Sequence, residues 1–312
     1  MLLAYIGKRL LQMIPLLLAV TIIIFVVIQL PPGDYLTTYI RQKESSGQTM
    51  DQAEIQSLRQ RYNLDKPLLT QFFIYLRELI KGDFGVSLKN GREISAIIGE
   101  SFPLSARLGL SAMVVALLGG TVFGCTAALT RNRLPDRIII FFSTLMTAAP
   151  SFVLATLLLL VFSIQLKLVP VWDANNHSYI LPVIALSAYP MAYITRLAKT
   201  SMLDALGQDY IRTAKAKGVS RGKVIFKHAL RNSLIPVITY AGPQIAYIIT
   251  GSMVIETICT VGGLGSKFVS AITNRDYTMI MATTIFLASL MVVANLVCDL
   301  LYKLVDPRIK FD

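Results

Sequence analysis

Side chains that could do covalent chemistry are few in this 312-residue chain and poorly placed for one another. His177 and His228 fall in segments that the charge pattern puts on opposite sides of a membrane, and no Gly-x-Ser-x-Gly elbow is present to activate a serine. Cys125, Cys259 and Cys298 lack Cys-x-x-Cys spacing and two of them sit in apolar runs, so they read as buried thiols rather than metal or redox ligands. Gly262, Gly263 and Gly265 precede Lys267 without the Gly-x4-Gly-Lys-Ser/Thr spacing of a phosphate loop, so the chain has no ordinary means of binding ATP. No catalytic constellation and no metal set emerges. The remaining groups suit recognition and movement.

The most informative of them lie in residues 209–232. Asp209 can cap a helix, Gly218 can end it in the left-handed conformation, and Ser220 can cap a second helix that runs on toward Pro236. This order predicts helix, tight turn, helix, with Ile211, Ala214 and Val219 as a small apolar contact ringed by lysines and arginines. A short rigid hairpin of this kind can dock in another protein's groove and pass rigid-body motion to the elements on either side. The competing reading is a basic amphipathic hairpin lying on anionic lipid.

Polar groups also recur inside apolar runs. Tyr240, Gln244, Tyr247 and Gly251 follow one another at steps of 4, 3 and 4, which places them on one helical face. Polar groups facing lipid are costly, so that face meets either a watery path or a neighbouring helix. Asn295 carries the same two readings, and Asp299 can pair with Lys303 one turn on. Glu256, at the end of its run, is a candidate outer gate together with Gly262, Gly263 and Gly265, either by gating or by holding that turn through backbone N–H groups; its alternative is an interfacial carboxylate reaching water. Gly120 and Gly124 form a small-x3-small pair that reads as helix packing rather than a hinge.

The elements that position these groups follow from composition. The chain is 54% hydrophobic and 15% charged, with a mean hydropathy of +0.60, against roughly 25% charge in a soluble domain. A water-soluble globule, a disordered chain and a disulfide scaffold are thereby disfavoured. Thirty Lys and Arg against eighteen Asp and Glu give a net charge of +12; in so apolar a chain that surplus belongs on a cytoplasmic membrane face rather than on nucleic acid. A bilayer core needs about 20 apolar residues per helix. Uncharged runs at 10–30, 108–129, 138–166, 233–255 and 277–298, with a weaker one at 180–195 extended by the residues after Arg196, predict six spans. The first run is long for a signal peptide and has no small-x-small cleavage site, so it reads as an anchor.

Six spans put both termini on one side. That side carries seventeen Lys and Arg, including Arg131, Arg133 and Arg137 as topological anchors, whereas the loops opposite hold Lys167, Lys267 and Arg275. The positive-inside rule makes the rich side the cytoplasm. The long segment 31–103 has nine basic and nine acidic residues and two amphipathic helical stretches, near 51–62 and 68–79, and reads as a small folded cap outside the membrane. Without an internal repeat or charge relay, a self-contained channel or secondary carrier draws no support from the chain; a non-transporting membrane enzyme or assembly scaffold is the other alternative, which co-purification with no ATPase would favour.

The hairpin resembles the Glu-Ala-Ala loop of the membrane-spanning subunits of ABC importers, and more closely that of the B-type permeases of the dipeptide/oligopeptide (and nickel) group. Tyr210, Arg212, Thr213, Ala214, Ala216, Lys217 and Gly218, then His228, Ala229, Leu230, Arg231 and Asn232, match its pattern; Arg212 stands where the wider family has Glu. Tyr5-Ile-x-Lys-Arg-Leu-Leu, Pro32-Gly33-Asp34, the run Tyr62 to Pro67, the run Gly82 to Ser87, Phe102-Pro-Leu-Ser105, Glu256 with the 262–265 glycines, and Arg275-Asp-Tyr277 extend the likeness along nearly the whole chain, with Thr278 where proline is common. The resemblance implies an all-α type I importer permease of six transmembrane helices: an N-terminal helix in 1–30, an extracytoplasmic cap in 31–103, a core in 104–306 containing a coupling loop at 204–232, and a tail at 307–312. It implies a bacterial inner-membrane subunit that is no enzyme, forms half of a peptide path, and pairs with a homologous second permease, two ABC ATPases that bind the ATP and Mg, an extracytoplasmic substrate-binding protein and membrane lipid. The coupling residues would be Tyr210, Arg212, Thr213, Ala214, Ala216, Lys217, Gly218, Val219, Ser220 and His228. Nickel or another small solute is the alternative cargo.

Overall fold

The computed structural model describes residues 2–30, 36, 39–40, 44, 50–173 and 176–305. Pro32-Gly33-Asp34, the tail at 307–312 and the side chain of Lys303, with its proposed pairing to Asp299, lie outside them. The described residues form helices: α1 (Leu2–Gln29), α2 (Gln52–Arg61), α3 (Leu68–Ile80), α4 (Ile94–Leu129), α5 (Leu134–Ala148), α6 (Ser151–Leu158), α7 (Ile180–Gly207), α8 (Asp209–Ala216), α9 (Leu230–Gly251), α10 (Met253–Ile258), α11 (Leu264–Thr273) and α12 (Tyr277–Val305). A π-helical stretch, Leu159–Gln165, continues α6, and a short turn Arg221–Lys223 with a second π-helical stretch, Val224–Ala229, leads into α9.

Five helices are long and apolar enough to cross a membrane, and a sixth crossing arises if α5 and the α6 segment count as one broken span. That break departs from the uninterrupted run at 138–166. Pro150 has no N–H to give to the helix and pushes the preceding residue toward extended backbone; Ala149 accordingly sits at φ −80, ψ 126, and the two halves meet at 105°. Elsewhere prolines stay inside helices, at Pro15, Pro103, Pro190, Pro236 and Pro243, as membrane helices permit when neighbours satisfy the freed carbonyls. The weak run at 180–195 is indeed extended, to Gly207, and α4 begins fourteen residues before the apolar run that announces it.

The chain divides into two units, Met1–Pro103 with Gly262–Val292, and Leu104–Val261 with Val293–Asp312. In the first, Ile94, Ile97 and Ile98 pack on Leu264, Ala271, Met279 and Ala282, and Phe102 meets Phe286 edge-on at 5.3 Å. Helices α2 and α3 confirm the two amphipathic stretches; the Asp51 carboxylate accepts the Gln52 N–H at the start of α2. The turn between α3 and α4 is tied to the start of α12. The buried Asp276 carboxylate caps α12 by accepting the Met279 N–H and also accepts the Ser87 hydroxyl and the Leu88 and Lys89 N–H groups. Thr278, the departure from proline, donates its hydroxyl to the Val86 carbonyl at 2.9 Å.

In the second unit α4, α7 and α9 share a core of Leu108, Ala112, Met113, Val183, Ile194 and Ala241, among others. Close approach of α4 to α7 requires glycine at two points. A Cβ on Gly120 would lie 2.7 Å from Ile194, and one on Gly124 2.5 Å from the Thr195 carbonyl oxygen, which bears out the packing reading of that pair. Lys199 of α7 pairs at 2.5 Å with Asp136 in the first turn of α5, and Asp136 also accepts the N–H of Asn132. Cys259 and Cys298 are buried and Cys125 is half-buried, all as free thiols.

Candidate functional site

The hairpin forms as its residue order predicts, with two local differences. Gln208, in extended backbone, takes the N-cap position; Asp209 is the first residue of α8, where its charge favours the helix N-terminus and its carboxylate lies 3.4 Å from the Arg212 guanidinium. Ser220 takes the next N-cap position but its hydroxyl makes no capping bond. Gly218 has φ +73, the left-handed turn that a side chain would strain.

The apolar contact faces inward. Ile211 and Ala214 are buried against Met202 and Ala205 of α7, Ala128 of α4, and Val224 and Ala229 of the π-helical stretch, with Val219 half-buried beside them. The candidate coupling residues therefore divide. Tyr210, Arg212, Thr213, Ala216, Lys217, Gly218 and Ser220 are exposed; Ala214 and Val219 pack in the cluster that holds the hairpin to α4, α7 and the start of α9, and His228 is half-buried in the π-helical stretch. A hairpin packed on three elements that continue into long apolar helices is built to move with them. Phe226, not anticipated from sequence, stands 71% exposed among Lys223, Lys227 and Arg221. A single aromatic in an otherwise basic run was the available signal.

Tyr240, Gln244 and Tyr247 share one face of α9, as their spacing requires, with Gly251 at its end. Tyr247 is exposed and Tyr240 half-buried. Tyr240 stacks on Tyr193 of α7, ring centroids 4.3 Å apart at 24°. Tyr189 and Tyr193, one turn apart on α7, are both exposed, so two helices together present a wall of tyrosines. The α7 pair went unread because its segment was the weakest apolar run; its i, i+4 spacing was the signal. Asn295 is exposed on α12.

Glu256 lies in α10 and is fully buried, which overturns the picture of a carboxylate reaching water; it accepts the Ser252 hydroxyl. Arg107 and Glu256 both act electrostatically on Tyr179, whose hydroxyl is buried. Gly262, Gly263 and Gly265 lead into α11, with Gly263 at its N-cap and Ser266 donating to the Gly263 carbonyl. None of the three adopts positive φ; the left-handed residue nearby is Thr260, whose hydroxyl donates to the Trp172 carbonyl. His177 stacks on Trp172 and is remote in sequence from His228. The first unit also has an open concavity of about 580 Å³ lined by Phe25, Tyr62, Tyr75, Glu78, Asp83 and Tyr277, among others.

Residues 120–311 match a family model described as binding-protein-dependent transport system inner membrane component, and residues 2–109 match the model for the N-terminal part of such membrane components. The chain is 42% identical over 309 residues to the dipeptide transport system permease protein of Bacillus subtilis, covering 98% of this chain and 97% of that one. It is 39% identical over 313 residues to the oligopeptide transport system permease protein of Haemophilus influenzae, at 99% and 100% coverage. A glutathione transport system permease protein of Salmonella typhi is 37% identical over 308 residues, at 98% and 99%. The fold is similar to a chain in the crystal structure of an amino acid ABC transporter with histidines, at TM-score 0.52 and 14% identity, covering 69% of this chain and 95% of that one.

Proposed function

The chain belongs to the family of binding-protein-dependent transport system inner membrane components, and from that premise we propose that it carries di- or oligopeptides through half of a path shared with a homologous second permease. It is a multi-pass membrane subunit of an ABC importer and not an enzyme; energy comes from partner ATPases, which would hold the ATP and Mg. The family's dependence on a binding protein argues against a self-contained channel or carrier. The peptide reading rests on relatives near 40% identity over the full chain whose names specify dipeptide and oligopeptide transport, which leaves nickel without comparable support.

The observation that carries the mechanism is the hairpin: an exposed basic outer face, an inner face buried on α4, α7 and the start of α9, and a left-handed glycine fixing the angle between its arms. Docked on an ATPase, residues 209–232 would be displaced when ATP closes the motor, and the helices packed on them would rock between outward- and inward-facing states. The coupling loop then lies in the cytoplasm with both termini, the segment 31–103 forms the extracytoplasmic cap that receives the binding protein, and the core extends over 104–306. The 580 Å³ concavity of the first unit supports the cap's receiving role.

The tyrosines of α7 and α9 supply the path. Amphipathic rings offer peptide bonds a hydroxyl and side chains an aromatic face without demanding one sequence. Glu256, buried near Tyr179 and Arg107, would act as the outer gate with Gly262, Gly263 and Gly265.

Proteoliposomes containing the chain with its second permease, ATPases and binding protein test this reading. Labelled dipeptide should accumulate only with ATP inside the compartment where the ATPases lie. Accumulation without ATPases, or of nickel but not peptide, overturns it.

A further inference from the structure

Within the second unit, α4, α5 and α7 leave an open slot of about 260 Å³ whose wall is apolar, formed by Phe123, Ile138, Phe142, Met146 and Met191. The Thr195 hydroxyl at its edge donates to the Met191 carbonyl and so turns away from the slot. Ile138 to Met146 is eight residue steps of α5, about 12 Å along the helix axis at 1.5 Å per step. A single hydrocarbon chain lying along the spans suits an open apolar slot of that length.

One end of the slot is strongly basic. The link between α4 and α5 carries Arg131 and Arg133, and Arg137 immediately precedes Ile138; all three are exposed. The single carboxylate there, Asp136, is buried and paired with Lys199. Arg131, Arg133, Arg137 and Lys199 thus face one anion, leaving a surplus of three positive charges at the mouth of an apolar slot. Basic pockets at the membrane face between spans select anionic headgroups. The charge pattern already accounts for these arginines as topological anchors, but it gives no reason for a slot to open beside them.

We infer that this slot is a discrete binding site for one anionic phospholipid, its acyl chain along α5 and its phosphate on Arg131, Arg133 and Arg137. The arginine fork suits phosphate oxygens, and the lipid fills the gap between α4, α5 and α7. On the topology proposed above this is a lipid of the inner leaflet. Held between the link 130–134 and α7, it stabilises the arrangement from which the hairpin projects.

The test is Phe123→Trp in the assembled transporter, reconstituted in vesicles of phosphatidylcholine with a rising fraction of brominated phosphatidylglycerol or of brominated phosphatidylcholine. Quenching at position 123, above that of the Phe123 background, should reach its midpoint at a phosphatidylglycerol fraction about 30- to 150-fold below that for phosphatidylcholine, as two to three surface cations imply. Arg133→Gln with Arg137→Gln, both at exposed positions, should abolish most of that preference while phosphatidylcholine quenching is unchanged. Native mass spectrometry of the same complex should retain one phosphatidylglycerol, lost in the double variant. Equal quenching by the two lipids, an unaltered preference in the double variant, or no quenching by either because a partner's segment fills the slot would each overturn the inference.

Discussion

Ser87 and Asp276 stand 189 positions apart in the chain, and the Ser87 hydroxyl donates to the Asp276 carboxylate at 2.5 Å. The same carboxylate caps α12 and accepts two further backbone N–H groups from the turn after Ser87. One buried anion therefore ties the turn between α3 and α4 to the start of the last long helix.

Removing it should loosen both. Asp276→Ala deletes a cap and leaves buried donors unmet, for a loss of about 2–4 kcal/mol. Asp276→Asn keeps an acceptor and should lose about 1 kcal/mol. Thermal unfolding in detergent gives the order, and limited trypsinolysis at Lys89 and Arg92 should quicken in the alanine variant alone.

The Lys199–Asp136 pair makes a separate prediction. Lys199→Ala leaves an uncompensated carboxylate that is 5% exposed, at about 3 kcal/mol. Replacing both partners, Lys199→Met with Asp136→Leu, should recover much of that loss, since a buried pair contributes little over apolar packing. Chemical unfolding of the variants reads the difference; equal losses in the single and double variants would show that apolar packing cannot replace the pair.

Two glycines provide an internal control for helix approach. Gly124→Val puts a Cβ 2.5 Å from the Thr195 carbonyl and should destabilise by about 1–3 kcal/mol. Gly99→Ala meets nothing within 4 Å and should stabilise α4 by about 0.5–1 kcal/mol. The melting temperatures of the two variants should move in opposite directions.

The tyrosine wall predicts selective effects on cargo. Tyr193→Ala or Tyr240→Ala removes one half of a stacked pair, worth about 0.5–1.5 kcal/mol beyond area burial. Uptake of bulky peptides should fall severalfold while ATP hydrolysis by the assembly is kept. Equal loss of both activities would mark the pair as scaffold.

Much of this was legible in the residues. Run lengths marked the long apolar helices, and Gly218 between two helical stretches marked the hairpin, because a left-handed turn is local physics; Asp209 and Ser220 stand at the helix starts without making the expected side-chain caps. The break at Pro150 was visible as a proline but its angle was not, since a 29-residue uncharged run fits a straight helix as well as a bent one. The inward direction of Ala214 was hidden for another reason: which face of a short helix is buried depends on α4 and α7, distant in sequence. Asp276 and Asp136 were passed over because a carboxylate at a span's edge looks solvated until its partners are known. The burial of Glu256 belongs to the same class.

The claim on which the mechanism turns is that the exposed face of residues 209–232 grips a partner ATPase. Lys217→Cys, at an exposed position beside the left-handed Gly218, should be joined to an ATPase subunit in native membranes by a maleimide carrying a photoactivated benzophenone, with a yield that changes when ATP is added. Gly218→Val, strained by about 1–2 kcal/mol at φ +73, should lower that yield and leave ATP hydrolysis running without uptake. A Lys217→Cys thiol that labels only with lipid-borne reagents, and never with an ATPase, would contradict the account.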